Sequence, residues 1–170
     1  MVALLLPLIV IAAESDFEGR WRLDIERSSA LDGWSAMDLL ITINGSEVEI
    51  GHDMRWRRTT RIVERNVVDT AAPTQIENFF RIEQRHMGVY PSRNSLAAAQ
   101  ASWIDEGRTL RTEVDVSVEV SQGDSRMRIY SEYRVGEGGE TLTLIELHST
   151  RNNPLVYRFR KLANDDNSRP

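Results

Sequence analysis

Polar and apolar residues alternate along most of this chain with a period of two. The alternation is clearest over residues 110–120, where one face carries Leu110, Thr112, Val114, Val116, Val118 and Val120. The other face carries charged and hydroxyl side chains. Because successive side chains of a β-strand point to opposite sides, the pattern predicts a strand with one buried and one solvated face. Helical periodicity is almost absent from the chain.

Similar segments, separated by turn sequences, account for most of the remaining chain. They are residues 17–25, about 37–43, 48–50, 54–68, 76–84, 98–104, 126–135, 141–148 and 155–162. Asn44-Gly45 and residues 136–139 are typical of tight hairpin turns. We therefore predict an all-β fold, an antiparallel up-and-down β-barrel of about 8–10 strands, because barrel closure removes exposed strand edges. The longer connections 26–34 and 86–100 each offer room for a short helix.

Composition divides the chain into three segments. Residues 1–13 are uncharged and apolar and end in small residues, which predicts a signal peptide or an N-terminal apolar leader. This stretch is shorter than the roughly 20 apolar residues that a membrane-spanning helix needs. Residues 14–162 form the predicted barrel domain, and the polar residues 163–170 are predicted to be a disordered tail.

The composition also indicates a compartment and excludes one class of partner. The net charge is -5 with charges of both signs interspersed, so no basic surface for nucleic acid is expected. The chain has no cysteine, and Lys161 is its single lysine. Together with the apolar leader, this usage is typical of a bacterial periplasmic or secreted protein, and a peripheral association with the cell envelope stays open.

Residue types suited to catalysis or metal binding form no recognisable motif. His52, His86 and His148 are far apart and lack ligand spacing, so we expect dispersed surface histidines, no metal and no cofactor. The chain has no G-x-S-x-G nucleophile turn, and no catalytic residue is predicted. Asp24 and Glu146 interrupt or close apolar strands, which makes them the first candidates for a buried acid–base group.

Several short motifs, in their order along the chain, resemble those of lipocalins and of secreted bacterial lipocalin-like proteins. They are Gly19, Trp21, Leu23, Asp24 and Ser28; Trp103, Asp105, Gly107 and Leu110; Gly139, Thr141 and Leu142; and Tyr157, Arg158 and Lys161. The central hairpin departs from the pattern by the additional Ile104 and Glu106. The resemblance implies a lipocalin-like barrel in which Trp21 closes the narrow end against Arg158 or Arg160.

A barrel of this size can enclose a cavity lined by aromatic and aliphatic side chains. The candidate ligand-binding residues are Trp56, Phe80, Trp103 and Tyr133. The leading hypothesis is an exported barrel that binds a small hydrophobic or amphipathic molecule in its interior. Two alternatives stay open: an enzyme, such as a hydrolase or isomerase of a lipidic compound, and a cell-envelope interaction module with a packed core.

Overall fold

The alternating segments form β-strands in the computed structural model, which describes residues 16–31, 33–56, 60–82, 90–91 and 95–163. The leader 1–13 and nearly all of the tail 163–170 lie outside the described residues. The strands are β1 Gly19–Leu23, β2 Ala36–Asn44, β3 Glu47–Trp56, β4 Thr60–Asp69, β5 Thr74–Glu77, β6 Tyr90–Pro91, β7 Leu96–Ile104, β8 Thr109–Val120, β9 Gly123–Val135, β10 Thr141–His148 and β11 Leu155–Lys161.

All strand pairs are antiparallel, and neighbours in sequence are mostly neighbours in the sheet. The order is β4-β3-β2-β1-β11-β10-β9-β8-β7-β5, with the short β6 paired to β8. The first strand therefore pairs with the last, and Trp21 stands opposite Lys161 in this register. This arrangement is a nearly closed barrel of ten strands in sequence order, which confirms the predicted all-β, up-and-down fold.

The barrel is interrupted between β4 and β5. These strands lie beside each other, but the sheet path ends at both of them. The segment 76–84 was expected to be a full strand, yet β5 ends at Glu77 and Asn78 has a positive φ of 52°. A left-handed residue ends the extended conformation, so the chain turns away before it can pair along β4.

Alternation places the core as the sequence predicts. On β8, Leu110, Val114, Val116 and Val118 are all buried, whereas Glu113 between them is exposed. Burying an aliphatic side chain of this size contributes roughly 1.5–3 kcal/mol, so the inward row stabilises the barrel along the whole strand. The buried rows form one continuous hydrophobic core.

The connection between β1 and β2, which offers room for a short helix, has a 3-10 helix, Ile25–Arg27, among its described residues. Asp24 precedes the turn, and its side chain accepts a hydrogen bond from the backbone N–H of Arg27. Asp24 is therefore a partly exposed capping residue, and the expectation of a buried acid–base group at this position is wrong. Among the described residues, no helix has the length and apolar character needed to cross a bilayer.

One end of the barrel, here called the closed end, is filled by Phe17, Trp21 and Trp103. Trp21 is 0% exposed, and its indole N–H donates to the carbonyl oxygen of Phe17 at 2.8 Å. The rings of Phe17 and Trp103 meet edge to face with centroids 4.9 Å apart. Aromatic pairs in this orientation add about 0.5–1.5 kcal/mol to the effect of burial.

The cation over Trp21 is Lys161, so the expected partner, Arg158 or Arg160, is wrong. Its ammonium lies 4.9 Å from the centre of the Trp21 ring and donates to the carbonyl oxygen of Asp16 at 2.7 Å. The reason is strand parity. Tyr157, a buried residue of β11, has the same parity as Lys161, whereas both arginines point outward.

Candidate functional site

A cavity of about 20 Å³ lies inside the barrel, and its described lining does not include Phe17, Trp21 or Trp103. Half of the described residues that line it are apolar, and they are Ile50, Val68, Phe79, Phe80, Ile82 and Val114. The other half are polar, and they are His52, Asn66, Thr112, Ser131, Tyr133 and Glu146. Polar groups are rarely buried in such numbers without hydrogen-bonding partners. These six polar lining residues, here called the cavity wall, are therefore the part of the core that most needs an explanation.

One side of the cavity is a row of polar residues across three adjacent strands. Thr112 on β8 stands opposite Ser131 on β9, and Ser131 stands opposite Glu146 on β10. All three are buried at inward-facing positions where the alternation would place an apolar side chain. The row thus breaks the apolar lining of the barrel across three neighbouring strands.

Glu146 is the centre of the contacts on this side. The Ser131 hydroxyl donates to Oε1 of Glu146 at 3.4 Å, and Nε2 of His148 lies 3.9 Å from Oε2. Burial, together with the negative charge of Glu146, raises the pKa of Tyr133 far above its ordinary value, so its phenol stays protonated. The cavity therefore has a carboxylate and several neutral hydroxyl groups within one small space.

The opposite side of the cavity is formed by His52 on β3. His52 is only 2% exposed, and its ring centroid lies 4.9 Å from that of Phe80. Burial lowers the pKa of His52 to about 4, against a smaller opposing effect of a hydrogen-bonding contact with the Ile50 backbone, so the imidazole is neutral at neutral pH. Its Nδ1 atom makes no hydrogen bond of acceptable geometry within the described part of the chain.

The cavity is covered by residues 78–82, here called the plug segment, which follow β5. Asn66 on β4 holds this segment through two hydrogen bonds. Its amide donates to the carbonyl oxygen of Phe80 at 2.9 Å, and its side-chain oxygen accepts from the Phe80 N–H at 2.9 Å. The indole N–H of Trp34 donates to the carbonyl oxygen of Ile82 at 3.1 Å. These side chains fix the backbone of the plug segment, so Phe80 fills the interior.

The structure brings together two of the four candidate ligand-binding residues. Phe80 and Tyr133 both line the cavity. Trp103 instead packs on Phe17 at the closed end, and Trp56 lies at the opposite end, edge to face with Trp34 at 5.8 Å. A role in ligand binding stays a prediction for all four residues. Glu146 is confirmed as a buried carboxylate.

Sequence reasoning missed His52, Asn66, Thr112 and Ser131 as cavity residues. The expectation that the histidines lie on the surface is wrong for His52 and His148, which are both buried, while His86 lies outside the described residues. A usable signal was present, because each missed residue shares strand parity with buried apolar neighbours. Parity alone identifies an inward position, but it does not show which inward positions converge across strands.

Buried charges also occur on the outer face of the barrel. Asp38 and Asp53 stand opposite each other on β2 and β3, beneath Arg20, Arg22 and Arg61. Arg20 bridges the two carboxylates, and each also pairs with a second arginine at 2.6–3.0 Å. Asp53 accordingly raises the pKa of Arg61. Every carboxylate is already paired, so the cluster stabilises the β1–β4 side and leaves no site for a ligand.

Two larger hollows lie on the outer surface. One of about 310 Å³ adjoins Glu77 and Leu96, and one of about 570 Å³ adjoins Asp105 and Arg134. Both are lined mostly by exposed residues of turns and strand ends. Within the described ranges, no three histidine, aspartate or glutamate side chains come together as a metal ligand set. The interior cavity is therefore the stronger candidate site.

Known proteins resemble this chain in fold and not in sequence. No protein-family profile matches it, and neither does any curated protein. A mutant of the fluorescent protein UnaG superposes with a TM-score of 0.53 at 9% identity, covering 88% of this chain and 99% of that one. A "secretary abundant heat soluble" (SAHS) protein from Ramazzottius varieornatus gives 0.51 at 10% identity, covering 86% and 96%. The chain therefore has the fold of the lipocalin-like, or calycin, β-barrels.

Proposed function

We propose that this protein binds a small hydrophobic or amphipathic molecule inside its barrel. The observation that carries the proposal is the buried polar wall, above all the unpartnered Nδ1 of His52 beside the Phe80 ring. A buried polar atom without a partner reduces stability by about 1–3 kcal/mol. A bound ligand that pairs with these groups would compensate for that loss, whereas an apolar core would never incur it.

Binding in this site requires a conformational change. A volume of about 20 Å³ accommodates one water-sized group and no hydrocarbon chain. The Phe80 side chain occupies the space that a longer ligand would need, and the plug segment lies at the interrupted side of the barrel, after β5. In the proposal, the ligand's polar end enters the cavity, and its apolar part replaces Phe80 when the plug segment moves outward.

A packed interior is the second candidate, and the small cavity volume favours it. In that case Phe80 is a permanent core residue and the protein acts through its surface. The enzyme alternative has no comparable support, because the Ser131 hydroxyl donates to Glu146 and not to an imidazole. An imidazole next to the hydroxyl is what activates a serine nucleophile.

Removal of the Phe80 ring has a different expected effect under each of the two candidates. We expect Phe80→Ala to increase the affinity for the neutral dye Nile red, because the variant opens interior space next to the polar wall. Phe17→Ala is the matched control, since Phe17 is also a buried phenylalanine but lies at the closed end. It should lower stability without a similar gain in dye binding. A Phe80→Ala protein that folds, shows a lower free energy of unfolding and binds no dye supports the packed interior.

We extend the proposal to export, on the basis of the uncharged apolar residues 1–13. Protein recovered from its own host should then begin after this segment, and native mass spectrometry should show a bound small molecule. An intact N-terminus on cytoplasmic protein would contradict export alone. A consistently empty barrel in the same spectra would count against interior binding.

A further inference from the structure

The outward face of β9, β10 and β11 carries a group of neighbouring apolar side chains. Ile145 and Leu147 on β10 are 37% and 47% exposed, although both are large aliphatic residues. Val156 on β11 stands opposite Ile145, and Tyr130 on β9 stands opposite Leu147. Both of these neighbours are half-buried, so the four side chains form one continuous, mostly apolar area on the outside of the barrel.

Three exposed arginines border this apolar area. Arg158 and Arg160 continue the outward row of β11 after Val156, and Arg128 precedes Tyr130 by two positions on β9. Among the residues that the structure describes, none of the three guanidinium groups has an ion-pair partner. The three arginines and the four apolar side chains together are here called the outer patch.

Two acidic residues lie beside the outer patch, and each has a partner of its own. Glu132 on β9 accepts a hydrogen bond from the Tyr130 hydroxyl and stands opposite Arg111 on β8. Asp24, whose backbone N–H donates to β11, caps the 3-10 helix, and its carboxylate lies 3.7 Å from the Arg27 guanidinium. These carboxylates therefore leave the positive charge of the outer patch unbalanced, although the whole chain has a net charge of -5.

The shape of the outer patch favours a lipid surface over a protein partner. The outside of a barrel is convex, so the apolar side chains project outward and form no groove. An extended peptide that binds a sheet pairs with an open strand edge, whereas β9, β10 and β11 each have a neighbouring strand on both sides. A second copy related by a two-fold axis would bring the same arginines together, which is unfavourable.

We propose that the outer patch attaches the protein to the surface of an anionic phospholipid bilayer. Its arginines contact the lipid phosphates, with which a guanidinium forms paired hydrogen bonds. Ile145 and Leu147 enter the boundary between headgroups and acyl chains, which removes their exposed apolar surface from water. Attachment does not require an interior ligand, because none of the outer-patch residues lines the cavity.

Vesicle binding by the full chain tests this attachment. The probes are vesicles of phosphatidylcholine alone and of an equal mixture with phosphatidylglycerol, and co-sedimentation measures binding at low and high salt. At low salt we expect at least about tenfold tighter binding to the anionic vesicles, because each basic residue near an anionic surface contributes roughly fivefold. The preference should fall as salt screens the charges. Residues 1–13 are uncharged and give no preference between the two lipids.

A pair of double variants assigns the preference to the outer patch. Arg158→Gln/Arg160→Gln should lower the affinity for anionic vesicles at least about tenfold, through loss of two exposed charges. Arg55→Gln/Arg65→Gln is the control, because it makes the same change of charge on β3 and β4. The control protein should retain almost all of the affinity.

A second pair of variants tests the apolar part of the outer patch. Leu147→Gln should weaken binding to anionic vesicles about fivefold, because less apolar surface is removed from water. Leu96→Gln is the control, since Leu96 is 55% exposed on β7, outside the outer patch. It should bind as the wild type does. All the substituted side chains are at least partly exposed, and circular dichroism verifies that each variant folds.

Three results would overturn membrane attachment and leave interior binding untouched. The first is equal binding to neutral and anionic vesicles, or an anionic preference that Arg158→Gln/Arg160→Gln leaves unchanged. The second is binding of poly-glutamate without binding of vesicles, which would assign the outer patch to an acidic protein partner. The third is a dimer in sedimentation velocity that Leu147→Gln dissociates, without vesicle binding, which would assign the outer patch to a second copy.

Discussion

The closed end of the barrel and the cavity wall bury side chains of opposite character. At the closed end, Trp21 has a hydrogen-bond acceptor for its indole N–H and a cation over its ring. At the cavity wall, His52 is equally buried but has an unpartnered nitrogen, and a carboxylate lies inside the same core. The Trp21 indole at the closed end therefore has a hydrogen-bonding partner, whereas the cavity wall buries a polar atom without one, which lowers stability.

The largest predicted effect tests the closed end. Trp21→Ala should lower the free energy of unfolding by about 3–5 kcal/mol, because it removes a fully buried aromatic side chain and leaves a cavity. Urea denaturation of the variant and the wild type measures this difference. Unchanged stability with reduced probe binding would instead place Trp21 in the ligand site and remove the contrast between the two regions.

The next prediction tests the cavity wall through pH. His52 has an ordinary pKa of 6.5 in the unfolded chain and about 4 in the folded protein, so acidification between these values favours the unfolded state. The stability that its neutral form contributes is present above pH 6.5, and about 3 kcal/mol is lost as the pH falls to about 4.

Urea denaturation across this pH range measures the loss. His52→Gln should show a flatter dependence of the unfolding free energy on pH between about 6.5 and 4 than the wild type. The exposed carboxyls whose pKa values are lowered by hydrogen bonds, such as Asp105, lose their contribution at lower pH and do so in both proteins. Parallel curves for the two proteins would show that His52 is not buried in its neutral form.

A somewhat smaller effect is expected at the plug segment. Asn66→Ala removes both hydrogen bonds to Phe80 and leaves its backbone groups without a partner, which should lower stability by about 2 kcal/mol. The freed plug segment should also allow Nile red to associate faster in stopped-flow measurements. Asn153→Ala, at an exposed position before β11, is the control. Lower stability with an unchanged association rate would mean that the plug segment does not control entry.

The smallest predicted effect concerns the cation at the closed end. Lys161→Met should lower stability by about 0.5–1 kcal/mol through loss of the cation–π contact with Trp21 and of the hydrogen bond to the Asp16 carbonyl oxygen. Arg160→Met removes the same charge from the neighbouring outward position and should have almost no effect. Equal effects of the two substitutions in urea denaturation would show that general charge, and not contact with the indole, stabilises this end.

Period-two alternation was sufficient to predict the barrel, its antiparallel order and most of its core. It could not predict the interruption between β4 and β5, because that depends on the left-handed backbone at Asn78. The wrong cation was assigned to Trp21 for another reason. Alternation along β11 places Lys161 on the same side as the buried Tyr157 and next to Trp21. The resemblance to lipocalins pointed instead to Arg158 or Arg160, which lie on the outward side.

The sequence predicted only some of the residues that line the cavity, because the lining depends on contacts across the barrel interior. The sequence alone identifies Phe80 and Tyr133 as candidates because they are aromatic, and Glu146 because it interrupts an apolar strand. His52 and Asn66 come from strands distant in sequence from Ser131, and only the curvature of the closed sheet brings them to one space. Side-chain parity places each residue inside the barrel, whereas its neighbours across the interior depend on the three-dimensional path of the strands.

The most direct test of interior binding observes the His52 ring itself. Nitrogen-15 NMR of the histidine side chains, with His52→Gln to assign the signals, is recorded during titration with octylamine. Interior binding predicts a large shift of the His52 signals that saturates together with octylamine binding measured by calorimetry, because the probe's polar end lies next to the unpartnered nitrogen. Saturable binding of octylamine with unmoved His52 signals would place the probe outside the barrel and contradict the account.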